Sequence, residues 1–143
     1  MDPDRLQRFV EAQDEGGTYA RALAELRAGR KRSHWMWFVF PQIAGLGKSP
    51  TSRAYAIRSL GEAKAYLEHP VLGPRLRECA RALLEVSGRT AEQILGGIDA
   101  VKLRSSMTLF ARADPDEPLF QQVLDRYYGG EPDEATERLL SMP

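Results

Sequence analysis

The segment 71–85, VLGPRLRECARALLE, decides the fold class of this chain. Its apolar residues recur every three or four positions with charged residues between them, which is the period of an amphipathic α-helix. We expect this helix to begin at Val71 or Gly73 and to end at Gly88. Its apolar face consists of Leu72, Leu76, Cys79, Ala80, Leu83 and Leu84.

Similar helical stretches, separated by capping residues, glycine and proline, extend in both directions from this segment. Capping boxes pair Ser59 with Glu62 and Thr90 with Gln93. The pattern predicts about eight helices with short connections and no internal repeat or linker, and therefore one all-α domain over residues 1–143. Further helix starts are predicted at Asp2-Pro3, Ser33, Thr51, Asp99, Asp114-Pro115 and Asp133.

Bulk composition limits the cellular setting. The longest apolar run, residues 35–40, is far shorter than the roughly 20 residues that cross a bilayer. The N-terminus lacks the apolar centre of a signal peptide. Cys79 is the single cysteine, so no internal disulfide can form. These features predict a cytoplasmic protein with no membrane association.

Charge is unevenly distributed although the formal net charge is zero. Residues 21–58 contain eight cations and one acid, whereas residues 113–143 contain two cations and eight acids. One interpretation is that the two regions pack together and neutralise each other. The other is a basic pole that attracts an anionic ligand.

The most unusual stretch is 29–50, GRKRSHWMWFVFPQIAGLGKSP. Its aromatic run fits a brief helix, ended by Pro41, or a strand; no partner strand is visible, which favours the helix. Guanidinium and ammonium groups can hold an anion, and indoles offer a surface for stacking. The alternative is that the aromatic residues form core and the cations are solvated or paired. The candidate ligand-binding residues here are Arg30, Lys31, Arg32, His34, Trp35 and Trp37.

The loop 45–49, GLGKS, resembles part of a phosphate-binding loop. The full motif requires a glycine where Gln42 stands and a preceding strand, so a nucleotide-triphosphate site is not indicated. A tight turn is the default interpretation. Its backbone N–H groups could still assist anion binding beside the cations.

The helix after Asp99 carries Lys102, Ser105 and Ser106 on one side. This spacing would allow polar contacts to a ligand; the alternative is a small-residue helix contact with an exposed lysine. His34 is the better of the two histidines for proton transfer. Two histidines and one cysteine, widely spaced, predict no metal site, and no motif indicates a cofactor.

Five segments in this order resemble a bacterial family known as domain of unknown function 1810, whose members are often labelled calpastatin. They are FVEAQ, GRKRSHWMWFVFPQIAGLGKS, SLGEAKAYLEHPVLGPRLREC, DAVKLRSSMTLFA and RYYGG, and they span roughly residues 6–130. The resemblance implies a single, mainly α-helical domain of about eight helices. It implies no reaction or catalytic set. Calpastatin inhibitors are largely disordered, whereas this chain has core periodicity and repeated caps, so protease inhibition is not expected.

Together these features favour a site for an anionic, nucleotide-like or phosphorylated small molecule, whether enzymatic or not. It would lie between the segment Arg30–Trp37 and the helix containing Lys102. The alternative is a non-enzymatic module that docks a protein partner on the basic face. Zero net charge argues against a third class, a nucleic-acid binder.

Overall fold

The computed structural model describes residues 4–142, and helices dominate that part of the chain. A 3-10 turn, Glu15–Gly17, separates the first two of ten α-helices. In chain order these helices are α1 (Asp4–Asp14), α2 (Thr18–Arg27), α3 (Met36–Val39), α4 (Pro50–Ala54), α5 (Leu60–Glu68), α6 (Leu72–Glu85), α7 (Ala91–Leu95), α8 (Gly97–Ala113), α9 (Leu119–Tyr128) and α10 (Glu134–Ser141).

The core forms around α8 and α6. Helices α5, α7, α9 and α10 pack against α8, and α2, α5 and α9 pack against α6. Leu103, Met107 and Phe110 of α8 are completely buried, as is Leu83 of α6. Burial of these side chains is the main driving force for assembling the helices. The prediction of an all-α fold is therefore confirmed.

Several predicted helix signals are confirmed by their hydrogen bonds. Thr90 and Gln93 form a complete capping box at the start of α7. The Asp133 carboxylate accepts the backbone N–H of Thr136 and caps α10. Ser59 caps α5, although Glu62 accepts the N–H of Arg58 instead of closing the box. The predicted Asp2-Pro3 start lies outside the described residues.

Three predicted helix starts are wrong, and at Ser33 and Asp114 a hydrogen bond outside the helix replaces the predicted cap. Ser33 donates to Glu25, so α3 begins only at Met36. Asp99 lies in the first turn of α8, which starts at Gly97. Asp114 accepts the N–H of Asp116 in a turn, and the following helix begins at Leu119. Short polar side chains commonly offer the backbone such alternatives.

The connection from α3 to α5 contains one isolated parallel bridge between Ile43 and Ile57. It brings the two ends of this connection together around α4. The helix predicted from Thr51 to Ile57 is observed as the shorter α4. It starts at Pro50 after a Ser49 cap and ends at Ala54. Among residues 4–142, no helix combines the length and apolar character needed to cross a bilayer.

A glycine sets the direction of α8. Gly96 follows α7 directly and has a φ of 89°, a backbone conformation that residues with a side chain rarely adopt. The chain can therefore turn from α7 into α8 without an intervening loop. This turn brings the first residues of α8 next to the segment that precedes α3.

Candidate functional site

A buried carboxylate fastens the segment after α2. Oε1 of Glu25 accepts hydrogen bonds from the backbone N–H groups of Arg32 at 2.7 Å and Ser33 at 3.1 Å, and from the indole Nε1 of Trp35 at 2.9 Å. Oε2 accepts the Ser33 hydroxyl at 2.7 Å. We call these four interactions the Glu25 clamp. They hold residues 32–35 against α2.

The Glu25 clamp stabilises an ionised carboxylate inside the protein. Burial tends to raise the pKa of this carboxyl group, but hydrogen bonds from Arg32, Trp35 and Ser33 outweigh burial and lower the pKa to about 2. Glu25 therefore stays charged, and its charge is used within the fold. It is a structural group that binds its own chain.

Lys31 connects the segment before α3 to α7 and α8. Its backbone N–H donates to the carbonyl of Ile94 in α7 at 2.7 Å. Its ammonium group lies 2.9 Å from Oδ2 of Asp99 in the first turn of α8. The Lys31 side chain is 9% exposed, so most of it is enclosed where the segment crosses the start of α8.

A second lysine reaches the same carboxylate. The ammonium group of Lys102 lies 3.7 Å from Oδ1 of Asp99, one helical turn along α8. Lys102 also lies 5.1 Å from the centre of the Trp37 ring, and Lys31 lies 5.1 Å from that of Trp35. We call Lys31, Asp99, Lys102 and Trp37 the Asp99 cluster. It brings two cations and one anion together beside an aromatic ring.

The Asp99 cluster lines an open recess of about 350 Å³, which we call the α8 recess. The Trp37 indole N–H is buried and has no hydrogen-bond partner among the described residues. A buried donor without a partner is costly in free energy and is uncommon in native proteins. The side chains that define the recess are Lys31, His34, Trp37, Ile98, Asp99 and Lys102.

The structure brings four of the nine sequence-predicted residues to this recess. Lys31 and Lys102 contribute ammonium groups, the half-buried Trp37 contributes an aromatic surface, and the exposed His34 contributes an imidazole. The segment before α3 and the start of α8 therefore meet.

The other five predicted residues do not line the α8 recess. Trp35 is completely buried and belongs to the core. Arg30 and Arg32 are exposed to solvent on the segment that the Glu25 clamp holds. Ser105 is 2% exposed and donates to the Val101 carbonyl, and Ser106 is completely buried. The two serines share a helix side with Lys102, but that side enters the core one turn after the lysine.

The glycine-rich loop lies on another side of Trp37. Gly47 borders a separate cavity that also touches Trp37 and Lys102. A side chain at Gly47 would collide with Ser52, because its Cβ would lie 2.3 Å from the serine Cβ. This glycine therefore allows the loop to pack on α4. Lys48 is exposed.

Among the described residues, neither the cysteine nor a group of metal-ligating side chains provides a second centre. Burial raises the pKa of the Cys79 thiol to about 12, so this cysteine is a protonated core residue. Within the described part of the chain, three or more His, Cys, Asp or Glu side chains nowhere come together as metal ligands would.

The basic and acidic regions do not neutralise each other through ion pairs. In residues 4–142, no ion pair joins the stretch 21–58 to the acids beyond residue 113. Three of those acids pair instead with arginines of α6 and α8. The three pairs are Glu117 with Arg77, Glu131 with Arg104, and Glu137 with Arg112.

Sequence reasoning missed the two carboxylates that organise this region. Glu25 stands three residues after Ala22 and beside Leu26, so it lies on the buried face of α2. An acid on a buried stripe needs donors, and that signal could have identified it. Asp99 was interpreted as a helix cap, although its spacing to Lys102 already placed both side chains on one helix side.

Comparisons with known proteins agree with this fold. The family model described as "Protein of unknown function (DUF1810)" matches residues 3–140. The chain is also similar to a conserved hypothetical protein, Rv1873 from Mycobacterium tuberculosis, whose crystal structure was determined at 1.38 Å. The two are 54% identical with a TM-score of 0.95, over 99% of this chain and 100% of that one. No curated protein matches.

Proposed function

Because the chain belongs to the DUF1810 family of proteins of unknown function, we propose its role from the geometry: the α8 recess binds a small anionic ligand with a planar part. One observation carries the proposal. Two ammonium groups, of Lys31 and Lys102, converge on a single carboxylate in a recess that also exposes an indole ring.

The charge and size of the recess suit such a ligand. Two lysines and Asp99 leave one net positive charge in the Asp99 cluster, and the exposed Arg30 and Arg32 on the neighbouring segment add long-range attraction. The volume of about 350 Å³ falls in the range of small-molecule sites. Nucleotide-like and phosphorylated compounds combine the required charge with a planar or polar body.

Each residue of the site has a distinct task in this proposal. The lysine ammonium groups hold the anion. Trp37 offers its ring for stacking, and its buried indole N–H has no partner among the described residues. His34 can donate, accept or carry a proton at the edge of the recess. The proposal describes a binding site, assigns no reaction, and leaves out Trp35, Ser105 and Ser106.

A thermal-shift screen with nucleotides, sugar phosphates and NAD-related compounds tests this function. A ligand at a hundred times its Kd adds about 2.7 kcal/mol to the free energy of unfolding, which gives a readable rise in Tm. We expect Lys102→Ala to abolish the response. Lys64→Ala, an exposed lysine of α5 outside the recess, is the matched control. The proposal fails if no compound raises Tm, or if both variants respond equally.

A protein-docking role is the second candidate function, and exposed apolar side chains next to the recess favour it. Ile98 is 77% exposed and Val101 is 61% exposed, both near the start of α8. Large apolar side chains grouped on a surface are typical of interaction sites. A partner retained by the wild type and lost in an Ile98→Lys, Val101→Lys double variant would support this role, provided that no anion shifts Tm.

The proposal also places the protein in the cytoplasm. The reducing conditions there suit a chain whose single cysteine, Cys79, is unpaired.

A further inference from the structure

The Asp99 carboxylate lies beside the two ammonium groups of the α8 recess to which an anion would bind. Its two oxygens lie 2.9 Å from the Lys31 ammonium and 3.7 Å from the Lys102 ammonium. A ligand carboxylate or phosphate that approached both lysines would therefore come within a few ångströms of a fixed negative charge. Like charges at such distances repel strongly where water is partly excluded.

Asp99 is held in this position by the backbone of α8. Its side chain is 18% exposed, and its ion pairs in the described residues are with the two ammonium groups. A carboxylate has about four sites for accepting hydrogen bonds, so Asp99 keeps acceptor capacity that the lysines do not use. Asp99 lines the same recess as the two lysines.

We propose that Asp99 is the specificity-determining residue of the α8 recess: among the acids that the lysines attract, it disfavours simple anions and favours an acid with an ammonium or N–H donor beside its acid group. The inference rests on the proposed function and names its ligand class. The lysines bind the acid group, and Asp99 accepts from the donor beside it. Since Asp99 lies within 4 Å of both ammonium groups, the acid group and the donor of the ligand must be close together, as they are in an α-amino acid.

The planar part of the ligand then contacts Trp37, whose half-buried ring forms part of the same recess. A planar acid with an adjacent donor, such as a zwitterionic aromatic α-amino acid, fits these three requirements together. A simple phosphate or pyrophosphate can bind the lysines. Its negative charge is repelled by the Asp99 carboxylate, however, and it offers that carboxylate no hydrogen-bond donor.

Calorimetric titration with inorganic pyrophosphate tests whether Asp99 disfavours simple anions. We expect Asp99→Asn to bind pyrophosphate about tenfold more tightly than the wild type, because one negative charge next to two lysines is removed. Asp116→Asn, an exposed acid in the turn before α9, makes the same change in net charge and should leave the affinity unchanged. Asp99→Ser is a second variant in case the amide perturbs the start of α8.

Pyrophosphate affinity that does not increase in either Asp99 variant overturns the inference, even when a compound of the screen binds the wild type. In that case the proposed function of the recess is retained, and the specificity-determining role of Asp99 is rejected. If Lys102→Ala leaves the binding of every screened ligand intact, the proposed function itself fails.

A matched ligand pair tests the preference for a donor beside the acid group. Phenylalanine and 3-phenylpropionate differ only in the ammonium group. We expect the wild type to prefer phenylalanine by about tenfold and Asp99→Asn to lose that preference, because the donor then faces a neutral amide. An unchanged ratio in Asp99→Asn, or no binding of either compound by the wild type, overturns the assignment of the ligand class.

Discussion

Two tryptophans, separated by one residue, occupy opposite environments in this protein. Trp35 is completely buried and donates to Glu25, whose carboxylate accepts three further hydrogen bonds from the chain. Trp37 is half-buried beside Asp99 and Lys102, and its indole N–H has no partner in the described residues. Each ring has a lysine 5.1 Å from its centre, so the contrast lies in the carboxylates.

The difference shows how one aromatic segment can serve both the fold and a site. The Glu25 clamp surrounds its carboxylate with neutral donors and leaves nothing for a ligand. The Asp99 cluster leaves two cations, an acceptor and the half-buried Trp37 ring at a recess. Because Trp35 is fixed in the core, the neighbouring Trp37 is held at the surface in a defined position, which reduces the entropy cost of binding.

The largest expected effect is on the buried tryptophan. Replacing Trp35 with alanine removes a completely buried ring and an indole donor, and should lower the free energy of unfolding by about 3–5 kcal/mol. Trp37→Ala should cost about 1–2 kcal/mol because part of that ring is exposed. Urea denaturation of both variants measures the difference. Equal losses would contradict the assignment of the two rings to core and site.

Glu25→Gln should lower the free energy of unfolding by about 2–3 kcal/mol at neutral pH, because a charged acceptor of four hydrogen bonds is lost. The pKa of this carboxyl is about 2 in the folded protein and about 4.3 when unfolded. The stabilisation is complete above the unfolded value and disappears as the pH falls through the folded one.

The unfolding curves of the wild type and Glu25→Gln should therefore converge between about pH 4.3 and pH 2. Denaturation with urea at several pH values in this interval provides the measurement. A difference that persists unchanged at pH 2 would show that the clamp is not an ionised carboxylate.

Asp99→Asn should lower the free energy of unfolding by about 1–2 kcal/mol, less than Glu25→Gln, because the largely enclosed Lys31 loses its ion-pair partner whereas Lys102 is more exposed. The loss should shrink in high salt, which screens these charges, whereas the loss in Glu25→Gln should not. Melting both variants at low and high salt compares them directly. A loss of stability in Asp99→Asn that does not depend on salt would mean that Asp99, like Glu25, serves the fold.

Ser106→Ala should have the smallest effect. The Ser106 hydroxyl is completely buried and has no hydrogen-bond partner among residues 4–142, so its removal should change stability by less than about 0.5 kcal/mol. Any ligand of the α8 recess should bind this variant as it binds the wild type. Weakened binding would show that the site includes Ser106, and therefore reaches beyond Lys102 into the core.

Sequence periodicity was sufficient for the fold and for part of the candidate site. The apolar spacing of α6 and the Thr90–Gln93 box are local signals, and both are confirmed. The hydrogen bonds of Ser33 to Glu25 and of Lys31 to Ile94 join residues that only folding brings together. Helical spacing placed the serines beside Lys102, but it could not show where that helix side enters the core.

Iodide quenching of single-tryptophan variants tests the central claim that Trp37 faces a cationic, open recess and Trp35 does not. Trp35→Phe leaves Trp37 as the only indole, and Trp37→Phe leaves Trp35. We expect iodide to quench Trp37 and not Trp35, with weaker quenching of Trp37 when Lys102→Ala is added. Equal quenching of the two indoles, or quenching of Trp37 that does not change when Lys102→Ala is added, would contradict the account.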